Sequence, residues 1–161
     1  MKNQDLHRSE KKHPLDVNYS RFTDFDISLF RSGKHFKLYE NFGSHVVEFN
    51  GQKGTYFAVW APNAVKVSVT GNFNGWNTES HPMNVRWDGS GIWELFIPGV
   101  DLGEIYKYHI ISGNGKILEK SDPFALQCEL PPKTASIVST TWHDWDDEAW
   151  MKTRHQKNAL N

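Results

Sequence analysis

The string GNFNGWN, residues 71–77, places a tryptophan directly after an Asn-Gly pair. Asn74-Gly75 is a turn signal, so Trp76 stands at or beside a loop tip rather than within a sheet. A large flat aromatic there can cover the C–H face of a saccharide ring while neighbouring polar side chains satisfy its hydroxyls. Packing of Trp76 under its own loop, as a satellite-core residue, is the competing reading, and the residues alone leave both open. In EIYKYHII, residues 104–111, Tyr106, Tyr108 and Ile110 share one face of a strand, and Lys107 and His109 share the other. With the tyrosines inward, Lys107 projects outward as a flexible donor of three protons suited to hydroxyl oxygens. Asn74 and Asn114 can add amide contacts beside it.

Other chemistries find little support. The eight histidines include no pair at the i, i+4 spacing of a helical zinc site, and the single cysteine, Cys128, offers no thiolate cluster, so neither metal nor cofactor is expected. No GxGxxG, GxxxxGK[ST] or GxSxG string occurs, which removes the usual phosphate cradles and the nucleophile elbow. Asp144, Asp146, Asp147 and Glu148 form a carboxylate cluster, but consecutive acids at the start of a helical turn are read more simply as partners of its dipole. Net charge is −1 with no long basic run, so nucleic acid is not an expected partner. Apolar runs stay far below the roughly 20 residues needed to span a bilayer, and the polar start lacks the apolar stretch of a secretory signal. The expectation is a cytoplasmic protein that makes no use of a membrane. With no catalytic constellation, the chain reads as a binding or positioning module.

These candidate residues must be held by the elements around them. At 161 residues the chain suits one domain with appendages, and it is long enough to bury a core without staples. Residues 1–20 carry mixed charge and almost no apolar periodicity and read as a mobile polar arm. Residues 21–43 read as a helical lead-in: TDFDISLFRSG sets Thr23 three residues before Asp26 as a capping-box variant, with the helix ending near Gly33, and KLYENFG repeats the format on a smaller scale. From about residue 44 to 141 the period changes to two. VVEF, GTYFAVW and VKVSV alternate, with Val65, Val67 and Val69 facing one way and Lys66 and Ser68 the other. Further strands are expected at 84–87, 92–97, 104–111, 116–119 and 136–139, separated by Asn50-Gly51, Ala61-Pro62-Asn63, Asn74-Gly75, Asp88-Gly89, Pro98-Gly99 and Asn114-Gly115. Short strands at regular spacing predict an all-β, immunoglobulin-like antiparallel β-sandwich with a single core. Trp93 is expected in that core and Trp60 in the core or an interface, Trp87 is undecided, and Lys66 and Glu94 are expected on a solvated sheet face. Residues 142–161 read as a linker whose Trp142, Trp145 and Trp150 suggest a surface awaiting a partner.

The strings LYENFGSH, GTYFAVWAPNA, VSVTGNFNGW, HPM, GIWELFIPG, YKYHI, SDPFA and PPKTASIV resemble the amino-terminal region of 1,4-alpha-glucan branching enzymes, across about Thr23 to Trp150. That region includes a family-48 carbohydrate-binding module of early-set immunoglobulin-like fold. GTYFAVWAPNA and FNGW also resemble isoamylases, trehalohydrolases and the glycan-binding subunits of protein kinases, whereas TDFDISLF with LYENFG points to branching enzyme. The resemblance implies a parent that cuts an alpha-1,4-linked glucan and transfers the segment to a 6-hydroxyl, as in glycogen synthesis, by a retaining two-carboxylate mechanism in a catalytic barrel that follows the linker. None of the barrel's motifs lies in these residues, so the chain by itself is expected not to be catalytic. Trp76 matches the family's stacking tryptophan and Lys107 the lysine of its YKY strand. The second stacking tryptophan of the kinase-type modules falls in GKILEKSDP, where this chain has Ile117 and Leu118. Thr134 and Ser136 stand where such modules place polar contacts. The implied partners are alpha-1,4-linked glucan (glycogen, maltooligosaccharide) and the catalytic barrel. Alternatives are a structural spacer packed on the barrel without glucan affinity and a free-standing glycan-targeting subunit.

Overall fold

Thr23 opens the first helix, α1 (Asp24–Arg31), through the reciprocal cap its sequence predicts: its Oγ1 accepts from the Asp26 N–H at 3.2 Å while its own N–H donates to Asp26 Oδ2 at 2.8 Å. Gly33, at φ +68°, ends it. KLYENFG yields only a single 3₁₀ turn, Leu38–Glu40. The computed structural model describes residues 19–141 and 147–153. Within them two antiparallel sheets face each other. The first has the order β1 (Gly43–Phe49), β2 (Gln52–Trp60), β5 (Ile92–Pro98), β4 (Asn84–Val85). Asn50 and Gly51, both at positive φ, make the β1–β2 turn that the Asn-Gly pair predicts. In the second sheet β6 (Ile105–Ser112) pairs with β3 (Ala64–Gly71) along one side. Along its other side lie β7 (Ile117–Lys120) and then β9 (Ser136–Ile137), which pairs with β8 (Gln127–Cys128). The expected immunoglobulin-like sandwich is the fold observed, with the two-residue β8 as an addition too short to show a period.

The main core lies between the sheets, where Phe57, Val67, Val69, Trp93, Leu95, Tyr106 and Tyr108 interdigitate. Trp93 is buried there as expected, its indole N–H bonded to the Ala61 carbonyl at 3.0 Å. A second cluster corrects the single-core expectation. Phe22 and Ile27 of the lead-in, with Phe42, cover Tyr56, Ala58, Ile92 and Phe96 on the outer face of the first sheet. β5 is thereby buried on both faces, which alternation alone does not announce.

Four further expectations change, the first two through the same lead-in layer. Glu94, expected in solvent, is 8% exposed and accepts hydrogen bonds from Tyr56 Oη and Ser20 Oγ, both at 2.6 Å, and from Arg86 at 3.0 Å. The arm expected to run to residue 20 ends sooner, because Tyr19 packs on Phe49, Tyr56 and Phe96, and Ser20 joins the Glu94 network. Val65 points outward, 65% exposed, because the β3–β6 register shifts between Ala64 and Lys66. Ser68 is buried, since the 81–83 segment bonds back along β3 through Val69 N to His81 O and Met83 N to Val67 O. Trp60 is half exposed, its indole N–H on the Ser90 carbonyl and its ring edge-on to Phe30. Residues 147–153 include α2 (Glu148–Thr153), on which Trp150 is exposed. Trp142 and Trp145 of the expected partner surface, Asp144 and Asp146 of the carboxylate cluster, and most of the expected arm and linker lie outside the described residues.

Candidate functional site

β3 ends at Gly71, where a side chain has no room: an added Cβ would lie 2.3 Å from the Ile105 carbonyl oxygen. A 3₁₀ turn, Asn72–Asn74, follows, and then two consecutive left-handed residues, Gly75 at φ +60° and Trp76 at φ +61°. This reversal presents the Trp76 indole, which is 42% exposed and tethered by its N–H to Asn72 Oδ1 at 3.1 Å. Asn74 makes the turn. Its Oδ1 accepts from the Gly71 N–H at 3.0 Å, and its amide donates to the Val69 carbonyl at 3.0 Å and to His81 Nδ1 at 2.9 Å.

Lys107 comes from β6 on the face away from the core. Its neighbours Tyr106 and Tyr108 both donate to Asp122 Oδ2, at 2.6 and 2.9 Å, which pins the strand from behind. Burial raises the Asp122 carboxyl above the usual carboxylate range, against the two tyrosine hydroxyls and the Phe124 N–H, which stabilise its charge. Lys107 Nζ donates to Thr134 Oγ1 at 2.7 Å. Trp76, Lys107 and Thr134 thus line one open depression of about 450 Å³. Thr70 and Ala135 form its buried floor, and Glu119, Glu129 and Lys133 add charge. Glu129 is held in place, 3.3 Å from Lys133 Nζ and 3.4 Å from the Ala135 N–H. An aromatic platform, ammonium and hydroxyl donors and a fixed carboxylate acceptor together match a polyhydroxylated ring.

The structure does not bring the other three predicted site residues into this depression. Asn74 spends its amide inside the turn, so it shapes the loop and has no group to offer. Ser136 is fully buried and accepts from the Asp122 N–H at 2.8 Å. Asn114 sits in the β6–β7 turn at the far end of β6, where its Oδ1 accepts from Ser112 Oγ and the Lys116 N–H. Thr70, Glu119, Glu129 and Lys133 were not foreseen. Thr70 lies directly across from Lys107, so strand register was the signal that would have found it. Glu129 and Lys133 sit on irregular segments with no period to read. Among the described residues no group of three or more His, Cys, Asp and Glu is placed to hold a metal ion, and no helix is long and apolar enough to cross a membrane.

A family profile described as Carbohydrate-binding module 48 (Isoamylase N-terminal domain) matches residues 41–125, just over half of the chain. The chain belongs to the carbohydrate-binding module 48 family. The match takes in Trp76 and Lys107 and stops before Glu129 and Thr134, so the module's own depression is closed by residues beyond the matched span. The module is 48% identical over 155 residues to the 1,4-alpha-glucan branching enzyme GlgB of Nostoc sp., covering 96% of the chain and 20% of that relative. It is 48% identical over 141 residues to GlgB of Aquifex aeolicus, covering 88% of the chain and 22% of the relative. The chain therefore spans about a fifth of the length of these relatives. Among solved structures, a ligand-free PulA mutant from Klebsiella pneumoniae shares the fold, with a TM-score of 0.50 and 24% identity over 62% of the chain and 10% of that protein.

Proposed function

We propose that this chain is the alpha-glucan-binding module of a 1,4-alpha-glucan branching enzyme, acting in the cytoplasm to hold alpha-1,4-linked chains near a catalytic barrel. The barrel would cut and transfer those chains to 6-hydroxyls, and this module supplies none of that chemistry. The carrying observation is the exposed Trp76 indole on a left-handed backbone, facing the same depression as the Lys107–Thr134 pair. A glucosyl ring stacks its C–H face on the indole. Lys107 and Thr134 donate to its hydroxyl oxygens, and Glu129 accepts a hydroxyl proton. Where the kinase-type modules carry a second stacking tryptophan, this chain has Ile117 and Leu118 on β7. With one platform and a flexible ligand to order, affinity is expected at roughly 0.1–1 mM.

Titration of the isotope-labelled chain with maltoheptaose and beta-cyclodextrin, followed by NMR, tests this. Shifts at Trp76, Lys107 and Thr134 are expected, with binding lost in Trp76→Ala and weakened about three- to tenfold in Lys107→Met. Full affinity in a folded Trp76→Ala protein would remove the assignment. A second reading, a spacer packed on the barrel, draws on the half-exposed Tyr39 and Leu126, which line a depression of about 360 Å³ with Thr141, where the described sandwich ends. Silence at millimolar ligand, together with complex formation when the barrel is supplied separately, would favour it.

A further inference from the structure

Trp87 is the most exposed tryptophan among the described residues, at 86%, and both residues beside it are firmly held. Arg86 folds inward: its Nε lies 2.9 Å from Asp88 Oδ2, its Nη1 lies 3.0 Å from Glu94 Oε2 and also reaches Ser20 Oγ, and its guanidinium lies 5.8 Å from the Phe22 ring centre. All three charged side chains are at most 10% exposed. Asp88 is fixed further, by Ser90 N–H on its Oδ1 and by the Arg31 guanidinium on its carbonyl. Drawing three charges out of water is costly unless pairing offsets it, and such a network is unusual beside a surface turn. Its structural effect is to turn Arg86 and Asp88 inward and leave Trp87 standing out between them.

The indole borders two depressions. One, of about 400 Å³, is lined by Tyr19, Ser20, Asn84 and the Arg86–Glu94 pair. The other, of about 580 Å³, is lined by Ser28, Arg31, Ser32 and Asp88. Both volumes fall within the roughly 300–1,000 Å³ of small-ligand pockets. Beside the indole the first also presents Val85 and the Asn84 amide, and the second the Ser28 hydroxyl and the Arg31 guanidinium, so apolar surface and hydrogen-bonding groups stand together as a sugar ring needs. We propose that Trp87 is the platform of a second carbohydrate-binding site, on the edge of the first sheet, taking an alpha-glucan chain that crosses the indole with neighbouring sugars over the two depressions. The ligand class rests on the glucan reading given above, whereas the residues are wholly separate from the Trp76 depression. Two sites on one rigid body let a branched polymer be held at both points, which raises avidity without any new contact.

Indole N–H resonances of the full chain separate the possibilities. During maltoheptaose titration the Trp87 signal should shift in the wild type and shift equally in Trp76→Ala, with a fitted stoichiometry falling from two to one. Trp87→Ala should keep its fold, being exposed, and should bind maltoheptaose at Trp76 unchanged while losing tenfold or more of its affinity for glycogen. A shift at Trp76 with none at Trp87 overturns the second site alone, as does unchanged glycogen affinity in Trp87→Ala. Silence of both indoles overturns it together with the glucan reading.

Discussion

At Trp76 the backbone adopts a conformation that costs an L side chain roughly 1–2 kcal/mol, and the only other non-glycine residue with positive φ among those described is Asn50 of the Asn-Gly turn. Asparagine tolerates this region through its short polar side chain, and a tryptophan has no such excuse. A residue retained for packing alone would have little reason to sit there. The consequence is measurable. Trp76→Gly should be more stable than Trp76→Ala by about 1 kcal/mol, because glycine relieves the left-handed strain while both lose the same indole. Urea unfolding of the two variants checks this, and both should fail to bind maltoheptaose. An alanine variant at least as stable as the glycine one would mean the backbone there carries no strain.

The 71–77 turn is locked from behind by histidine chemistry. His81 Nδ1 accepts from the Asn74 amide, so the ring is neutral at that nitrogen, and burial lowers its affinity for a proton below the usual 6.5. A second histidine, His45, is lowered in the same way, by burial first, aided by nearby Arg21 and opposed by its bond to the Phe42 carbonyl. For a depressed group the unfolded chain takes up its proton first. Stability is therefore full above pH 6.5 and falls as pH drops from 6.5 toward the lower folded values, by an amount that solvent around His81 tempers. The urea midpoint should decline between pH 7.5 and 5.5, with a shallower decline in His81→Gln. Glucan affinity should hold while stability first declines and fall only at lower pH, where the folded His81 itself takes up a proton, because protonated Nδ1 repels the Asn74 amide and releases the loop that carries Trp76. Affinity unchanged even where His81 is protonated in the folded chain, as read from its ring resonances, would separate the loop from the site.

Across the whole molecule, the lead-in is a third layer rather than an appendage. Phe22 and Ile27 are each 5% exposed over β2 and β5, and Ala135, Ser136 and Val138 close the other sheet. Removing one buried phenylalanine side chain alone costs about 3–5 kcal/mol, against a total stability of roughly 5–15 kcal/mol. A fragment limited to residues 41–125, the span of the family match, should thus fail to give a cooperative thermal transition, while residues 19–141 should melt as one unit. Circular dichroism of the two fragments decides it. Cooperative melting of the shorter piece would show that the layers are independent.

The sequence by itself determined whatever depends on neighbours in the chain. The Thr23–Asp26 cap, the Asn50-Gly51 hairpin, the alternation that put Tyr106 and Tyr108 inward and Lys107 outward, and the Asn74-Gly75 turn were all legible, because turns and periods are local, whereas the exposure of Trp76 beside that turn was decided by the fold. The resemblance to the kinase-type glycan-binding modules singled out Thr134, which lies beside Lys107 in space although far from it in sequence. Glu94 could not be read as buried, since its burial depends on a lead-in layer arriving from more than 70 residues away through Ser20. Ser136 and Asn74 carried the right groups for a ligand, but only the folded chain shows that those groups are already bonded within the protein. Trp87 went undecided for the complementary reason: its exposure is imposed by an ion pair between Arg86 and Glu94 that no spacing announces. Which side chains point inward along one strand is a local matter, whereas which faces are covered, and which polar groups remain free, is fixed only when separate elements meet.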